Sequence, residues 1–137
     1  MSGRSFLDTN ILFYAYDEAD LRKHRIAQDL VRGAVKGESI VSSQVLAELS
    51  AILLHKAGAR PAQVRRMLDV LEPIELLRPD GELVRRAIDA REKYGVHFYD
   101  GMIVAAAERG KCARICSEDL NSGQEYFGVL AVNPFKP

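Results

Sequence analysis

Five short apolar runs, at about residues 5–7, 38–41, 74–77, 113–116 and 129–132, alternate with longer segments of helical periodicity. Parallel strands need a crossover between them, most often a helix, so this alternation predicts an α/β fold. The strands are short and the helices dominate. The expected architecture is a small, mostly parallel sheet in one domain over residues 1–137, with no linker or internal repeat.

The helical segments carry their own punctuation. Leu21 to Val35 presents Leu21, Ile26, Leu30, Val31 and Ala34 to one side and Arg22, Lys23, Arg25 and Arg32 to the other, with Asp20 as N-cap and Gly33 or Gly37 at its end. Ser42 or Ser43 caps a helix over Gln44 to Lys56, which Gly58 closes. Pro61 opens a helix that ends before Pro73, and Asp80 caps one that ends at Gly95. Met102 to Ala107 is nearly all apolar, as expected of a central helix packed on several sides. The stretch from Ser117 to Gly123 reads as a polar loop.

Four acids fall at informative places in this pattern. Asp8 ends the first apolar run, and Thr9 or Asn10 is positioned to cap the helix after it. Asp100 begins the most apolar helix, behind an aromatic pair that suggests an enclosed end. Asp119 follows the fourth strand candidate. In a parallel sheet, strand C-terminal tips and the N-termini of the following helices share one edge, so these three can meet there. Glu48 lies on the border of its helix's apolar stripe, beside Val45 and Ile52. Clustered carboxylates repel, and some hold protons unless a cation is present. Hard oxygen ligands without supporting Cys or His suit Mg²⁺ or Mn²⁺. Such an ion binds phosphate oxygens and acidifies a bound water, whose proton an unligated carboxylate can accept.

Composition narrows the partners. Lys+Arg and Asp+Glu both number 19, so the chain lacks the basic excess of a protein that coats nucleic acid or anionic lipid. No apolar run approaches a membrane span, and no secretory signal is visible, so a cytoplasmic location is expected. Cys112 and Cys116 read as buried free thiols and make a poor zinc site.

Phe6-Leu7-Asp8-Thr9-Asn10, Leu46-Ala47-Glu48-Leu49, Phe98-Tyr99-Asp100-Gly101-Met102-Ile103, Ser117-Glu118-Asp119-Leu120-Asn121-Ser122-Gly123-Gln124 and Val132-Asn133-Pro134-Phe135 occur in that order. This series resembles the PIN-domain ribonucleases that serve as toxins in VapBC toxin–antitoxin pairs, over nearly the whole chain. The resemblance implies a three-layer α/β/α sandwich and metal-dependent cleavage of RNA. It matches Asp8 and Asp100 to the principal Mg²⁺ ligands. Glu48 and Asp119 match the remaining acids, which in the family hold the ion or its waters and assist proton transfer, and Thr9, Asn10 and Ser117 match the polar neighbours that orient them. It further implies a homodimer and a cognate antitoxin that covers the acidic cleft. Gly101 stands where the family usually has Ala, a departure expected to loosen the helix start without loss of activity. Arg22, Lys23, Arg25, Arg65, Arg66, Arg85 and Arg86 are the candidate RNA contacts.

Other readings fit less well. A haloacid dehalogenase-type phosphotransferase needs a second Asp where Asn10 stands, and a receiver domain needs acids that residues 1–7 lack. A housekeeping RNA-processing nuclease and a non-catalytic binding module of the same fold are the alternatives. An idle site has no reason to tolerate four repelling acids.

Overall fold

Asp8 and Ser117 leave neighbouring strands side by side, and the topology of the sheet explains why. The computed structural model describes residues 3–137. Its strands are β1 (Ser5–Leu7), β2 (Ser39–Ser42), β3 (Glu75–Leu77), β4 (Arg114–Cys116), β5 (Glu125–Tyr126) and β6 (Val129–Val132). They form one sheet in the order β3-β2-β1-β4-β6-β5. All pairings are parallel except β5 with β6. The chain steps from β1 outward to β2 and β3, then crosses back to β4 on the other side of β1. The strand order therefore reverses between β1 and β4, which is where open α/β sheets bind ligands. The register pairs Leu7 with Cys116, so the next residue of each strand emerges at that crevice.

Six helices make the connections: α1 (Thr9–Tyr16), α2 (Leu21–Val35), α3 (Ser43–His55), α4 (Pro61–Leu71), α5 (Gly81–Tyr94) and α6 (Phe98–Arg109). Helices α2 and α3 pack on β2, whereas α6 packs on β4, β6 and α5. Reversing the crossover direction places these two groups on opposite faces when the connections are right-handed. The result is the expected α/β/α sandwich. Strand β1 is buried throughout, and α6 is buried continuously from Gly101 to Ala107.

Several local expectations need correction. Asp8 itself caps α1, accepting from the Thr9 N–H, in place of Thr9 or Asn10. Helix α2 runs through Gly33 and turns at Gly37, whose φ of +95° suits a residue without Cβ. Leu21 is half exposed at the start of α2. Helix α6 begins at Phe98, capped by His97, so Asp100 sits within its first turn. The polar stretch after β4 runs into β5, a strand the sequence did not announce. Cys112 and Cys116 are buried free thiols, as expected. No helix among the described residues is long and apolar enough to cross a membrane.

Candidate active site

The carboxylate of Asp8 is 4% exposed and held from two sides. One oxygen accepts from the Thr9 N–H at 2.7 Å, the other from the Ser117 hydroxyl at 2.7 Å. With its proton given to Asp8, the Ser117 oxygen accepts from the Asp119 N–H at 3.0 Å. Asn10 closes the ring. Its amide nitrogen donates to Asp119 at 3.2 Å, and its carbonyl accepts from the Glu118 N–H at 3.3 Å. The loop after β4 is thus tied to the tip of β1, and Asp119 is brought toward Asp8.

Asp100 comes from the first turn of α6. Asp8, Asp100 and Asp119 each offer an oxygen, and these three oxygens lie within 4.8 Å of one another. Among the described residues no ion pair reaches any of the three. Burial pushes Asp8 up from 3.8 to about 6, against the hydrogen bonds from Ser117 and Thr9, and the charges of Asp119 and Asp100 add to the rise. Asp100 is also raised, first by burial, then by the charge of Asp119, with Glu48 adding to it and His97 opposing it.

The donor set fits a hard divalent cation: three carboxylate oxygens from three segments, without sulfur or imidazole. The Thr9 hydroxyl is buried and has no hydrogen-bond partner among the described residues.

Glu48 lines the same cavity, which encloses about 300 Å³, but it is outside the group of three. Gln44, one turn before it on α3, donates to one of its oxygens at 2.6 Å. The four acids named from the sequence therefore share one pocket, three of them in mutual contact range of one ion.

The basic candidates fare differently. Lys23 is ion-paired with Glu118 and lies over the Tyr14 ring. Arg22 donates to the Phe135 carbonyl at 2.6 Å, and Arg86 to Glu108 through two bonds. These three are already committed within the fold. Arg25, Arg65, Arg66 and Arg85 are exposed, but none lines the acid pocket. Among the described residues the cation on that lining is Lys56, two helical turns beyond Glu48 and not among the basic residues expected from the sequence.

Two details revise the picture of α6. Its start is not enclosed: Phe98 is partly buried on the core, but Tyr99 is 57% exposed. Nor is it loosened by Gly101, which is buried where a Cβ would come within 2.6 Å of the Ala87 carbonyl oxygen on α5. Glycine here lets two helix backbones approach.

Fold and site together define an α/β protein in which two strand tips and a helix start bring three aspartates to one crevice. A family model described as the PIN domain matches residues 5–123, and the chain belongs to that family. Solved structures share the fold at low identity. A toxin–antitoxin complex from Klebsiella pneumoniae is 16% identical with a TM-score of 0.68, covering 95% of this chain and 97% of that one. VapC20 of Mycobacterium tuberculosis, a toxin that cleaves the sarcin–ricin loop, is 18% identical with a TM-score of 0.67, covering 84% and 89%. VapBC2 of Rickettsia felis, bound to a fragment of promoter DNA, is 19% identical with a TM-score of 0.64, covering 93% and 96%. No curated protein matches the chain significantly.

Proposed function

We propose that this chain is a divalent-metal-dependent endoribonuclease, one domain over residues 1–137, and the toxin of a toxin–antitoxin pair acting in the cytoplasm. The convergence of Asp8, Asp100 and Asp119 carries the reading. These three hold the ion, Mg²⁺ or Mn²⁺, which when bound offsets their repulsion, binds a phosphate oxygen and lowers the pKa of a water.

The protein's own groups do the rest. Ser117 and the Thr9 N–H fix the Asp8 carboxylate, so ligand geometry is set before substrate arrives. Asn10 holds Asp119 through its amide. Glu48 has one oxygen engaged by Gln44, and the other takes the proton of the attacking water. The water oxygen bonds to phosphorus as the bond to the ribose oxygen breaks, and that oxygen leaves as a hydroxyl with a proton from solvent. Several solved relatives of this fold are toxin–antitoxin complexes, which supports a partner protein covering the cleft, and a second copy of the chain completes the proposed assembly.

The test is cleavage of an end-labelled RNA by purified protein, with and without Mg²⁺ or Mn²⁺, beside Asp8→Asn and Asp100→Asn. Metal-dependent cleavage abolished by both substitutions is the expected result. Cleavage that survives EDTA and both changes overturns the reading. Absence of cleavage under all conditions returns the chain to the binding-module alternative.

A further inference from the structure

Residues four apart on a helix form one line along it. On α3 that line is Gln44, Glu48, Ile52 and, at the C-cap, Lys56. At 1.5 Å per residue it runs roughly 18 Å. Its last three members line the pocket of the aspartates. At its first end Gln44 reaches the Tyr99 carbonyl at 3.4 Å.

The two ends of this wall differ in kind from its acidic middle. Lys56 is exposed and its ammonium has neither hydrogen bond nor ion pair among the described residues, while Lys23, Arg22 and Arg86 are all engaged through their side chains. Tyr99 is exposed yet braced. His97 stacks against its ring at 5.8 Å between centroids and 26° between planes, and Phe98 meets it edge-on at 5.2 Å. A ring supported by neighbours loses little freedom when a flat ligand covers its open side. An exposed tyrosine alone means little. Here it stands on the lining of a catalytic pocket with an unpaired cation on the same lining and the carboxylates in the same cavity.

We propose that Tyr99 and Lys56 are the two contacts that seat a single strand across the site: an unpaired nucleobase stacks on Tyr99, and a phosphate of the same strand meets the Lys56 ammonium. The proposal rests on the nuclease reading above. Base stacking on an aromatic side chain tolerates any base, and a lysine senses only phosphate charge, so the pair sets position along the strand without sequence preference. A duplex does not offer the contact, because its bases are already stacked on one another.

The experiment measures binding of fluorescein-labelled single-stranded RNA of mixed sequence to the full chain in Mg²⁺. It is made in an Asp8→Asn background that keeps the RNA whole. Tyr99→Ala is expected to weaken binding about tenfold or more, and Tyr99→Phe to leave it within about twofold, since the ring is what stacks. A strand made wholly of abasic nucleotides should show no Tyr99→Ala penalty, since stacking needs a base in whatever register the strand binds. A fully paired RNA should show no such penalty. Lys56→Ala should lower the slope of log affinity against log salt by about 0.7. Both side chains are exposed, so thermal melting of the variants should match the parent. Unchanged affinity in Tyr99→Ala, or an unchanged salt slope in Lys56→Ala, overturns the two-point contact and leaves this rim to a protein partner. Failure of the nuclease reading looks different: the chain with Asp8 intact does not cleave, whatever the two rim variants do to binding.

Discussion

Ser117 donates its hydroxyl proton to Asp8 across 2.7 Å, although 109 residues separate them in the chain. The same oxygen accepts the Asp119 N–H, so one hydroxyl sets two of the three converging carboxylates. Ser117→Ala removes a bond that holds the Asp8 carboxyl down, and its acid midpoint should rise above the present value of about 6. Metal ligands must be deprotonated and oriented, and losing such a support typically weakens metal binding by about 10- to 100-fold. Calorimetric titration with Mn²⁺ at pH 7 should show that loss, with Ser117→Thr restoring most of the affinity. Unchanged Mn²⁺ affinity in Ser117→Ala would mean the serine only shapes the loop.

Burial of Asp8 also makes a prediction for the metal-free protein. Its pKa is about 6 when folded against 3.8 ordinarily, so between those values the folded state binds the proton that the unfolded state has released. Stability from this group is therefore greatest below about pH 4 and falls as pH rises through 6, by on the order of 3 kcal/mol at 1.36 kcal/mol per unit. Asp8→Asn carries no such charge. In EDTA, urea melts of Asp8→Asn and parent should diverge from pH 4 to pH 7, the variant being the more stable, and then run parallel. Millimolar Mg²⁺ or Mn²⁺ should stabilise the parent and not the variant. An Asp8→Asn protein less stable than the parent at pH 7 without metal would mean that the bonds Asp8 accepts from Thr9 and Ser117 outweigh the cost of burying its charge.

What the sequence displayed plainly were features that a local rule governs. An apolar run ending in Asp8, serine or aspartate caps at Ser42, Asp20 and Asp80, and the glycine at 95 each sit where capping chemistry puts them. The meeting of Asp8, Asp100 and Asp119 followed from topology, because a parallel sheet collects strand tips and helix starts on one edge. Tertiary pairing was not legible. Nothing in the order of residues says that Lys23 meets Glu118 or that Arg86 meets Glu108. Strand β5 escaped for a different reason. Its two residues are too short for alternation, and the turn after it uses positive φ at Phe127 (49°) and Gly128 (81°), a two-residue hairpin that usually announces itself with Asn-Gly or Asp-Gly.

Gly101 sets two effects against each other. Alanine within a helix gains about 1 kcal/mol over glycine. At this position its Cβ would stand 2.6 Å from the Ala87 carbonyl oxygen, a backbone atom that moves only if α5 moves. Overpacking of that kind costs about 1–3 kcal/mol, so the clash should win. Gly101→Ala should lower the urea midpoint with an unchanged m-value, and it should weaken Mn²⁺ binding because Asp100 is the adjacent residue. An equally stable or stabilised variant would show that α5 slides freely on α6.

Arg86 offers a test in which charge is kept and geometry lost. Its guanidinium makes two bonds to Glu108, at 2.8 and 2.9 Å, and lies 3.6 Å from the centre of the Phe127 ring. Phe127 is the residue held at φ 49°, and its N–H donates to the Tyr94 hydroxyl at 2.8 Å. The arginine thus links α5 and α6 to the strained tip of the β5–β6 hairpin. A lysine keeps the charge but has neither the fork for a two-point carboxylate contact nor the plane for stacking. Arg86→Lys should destabilise by about 1 kcal/mol, from the lost second bond and the stacked contact together. Hydrogen exchange should localise the effect, with protection falling first at the amides of β5 and the turn. Uniform loss of protection, or none, would mean that the hairpin holds its turn through Tyr94 alone.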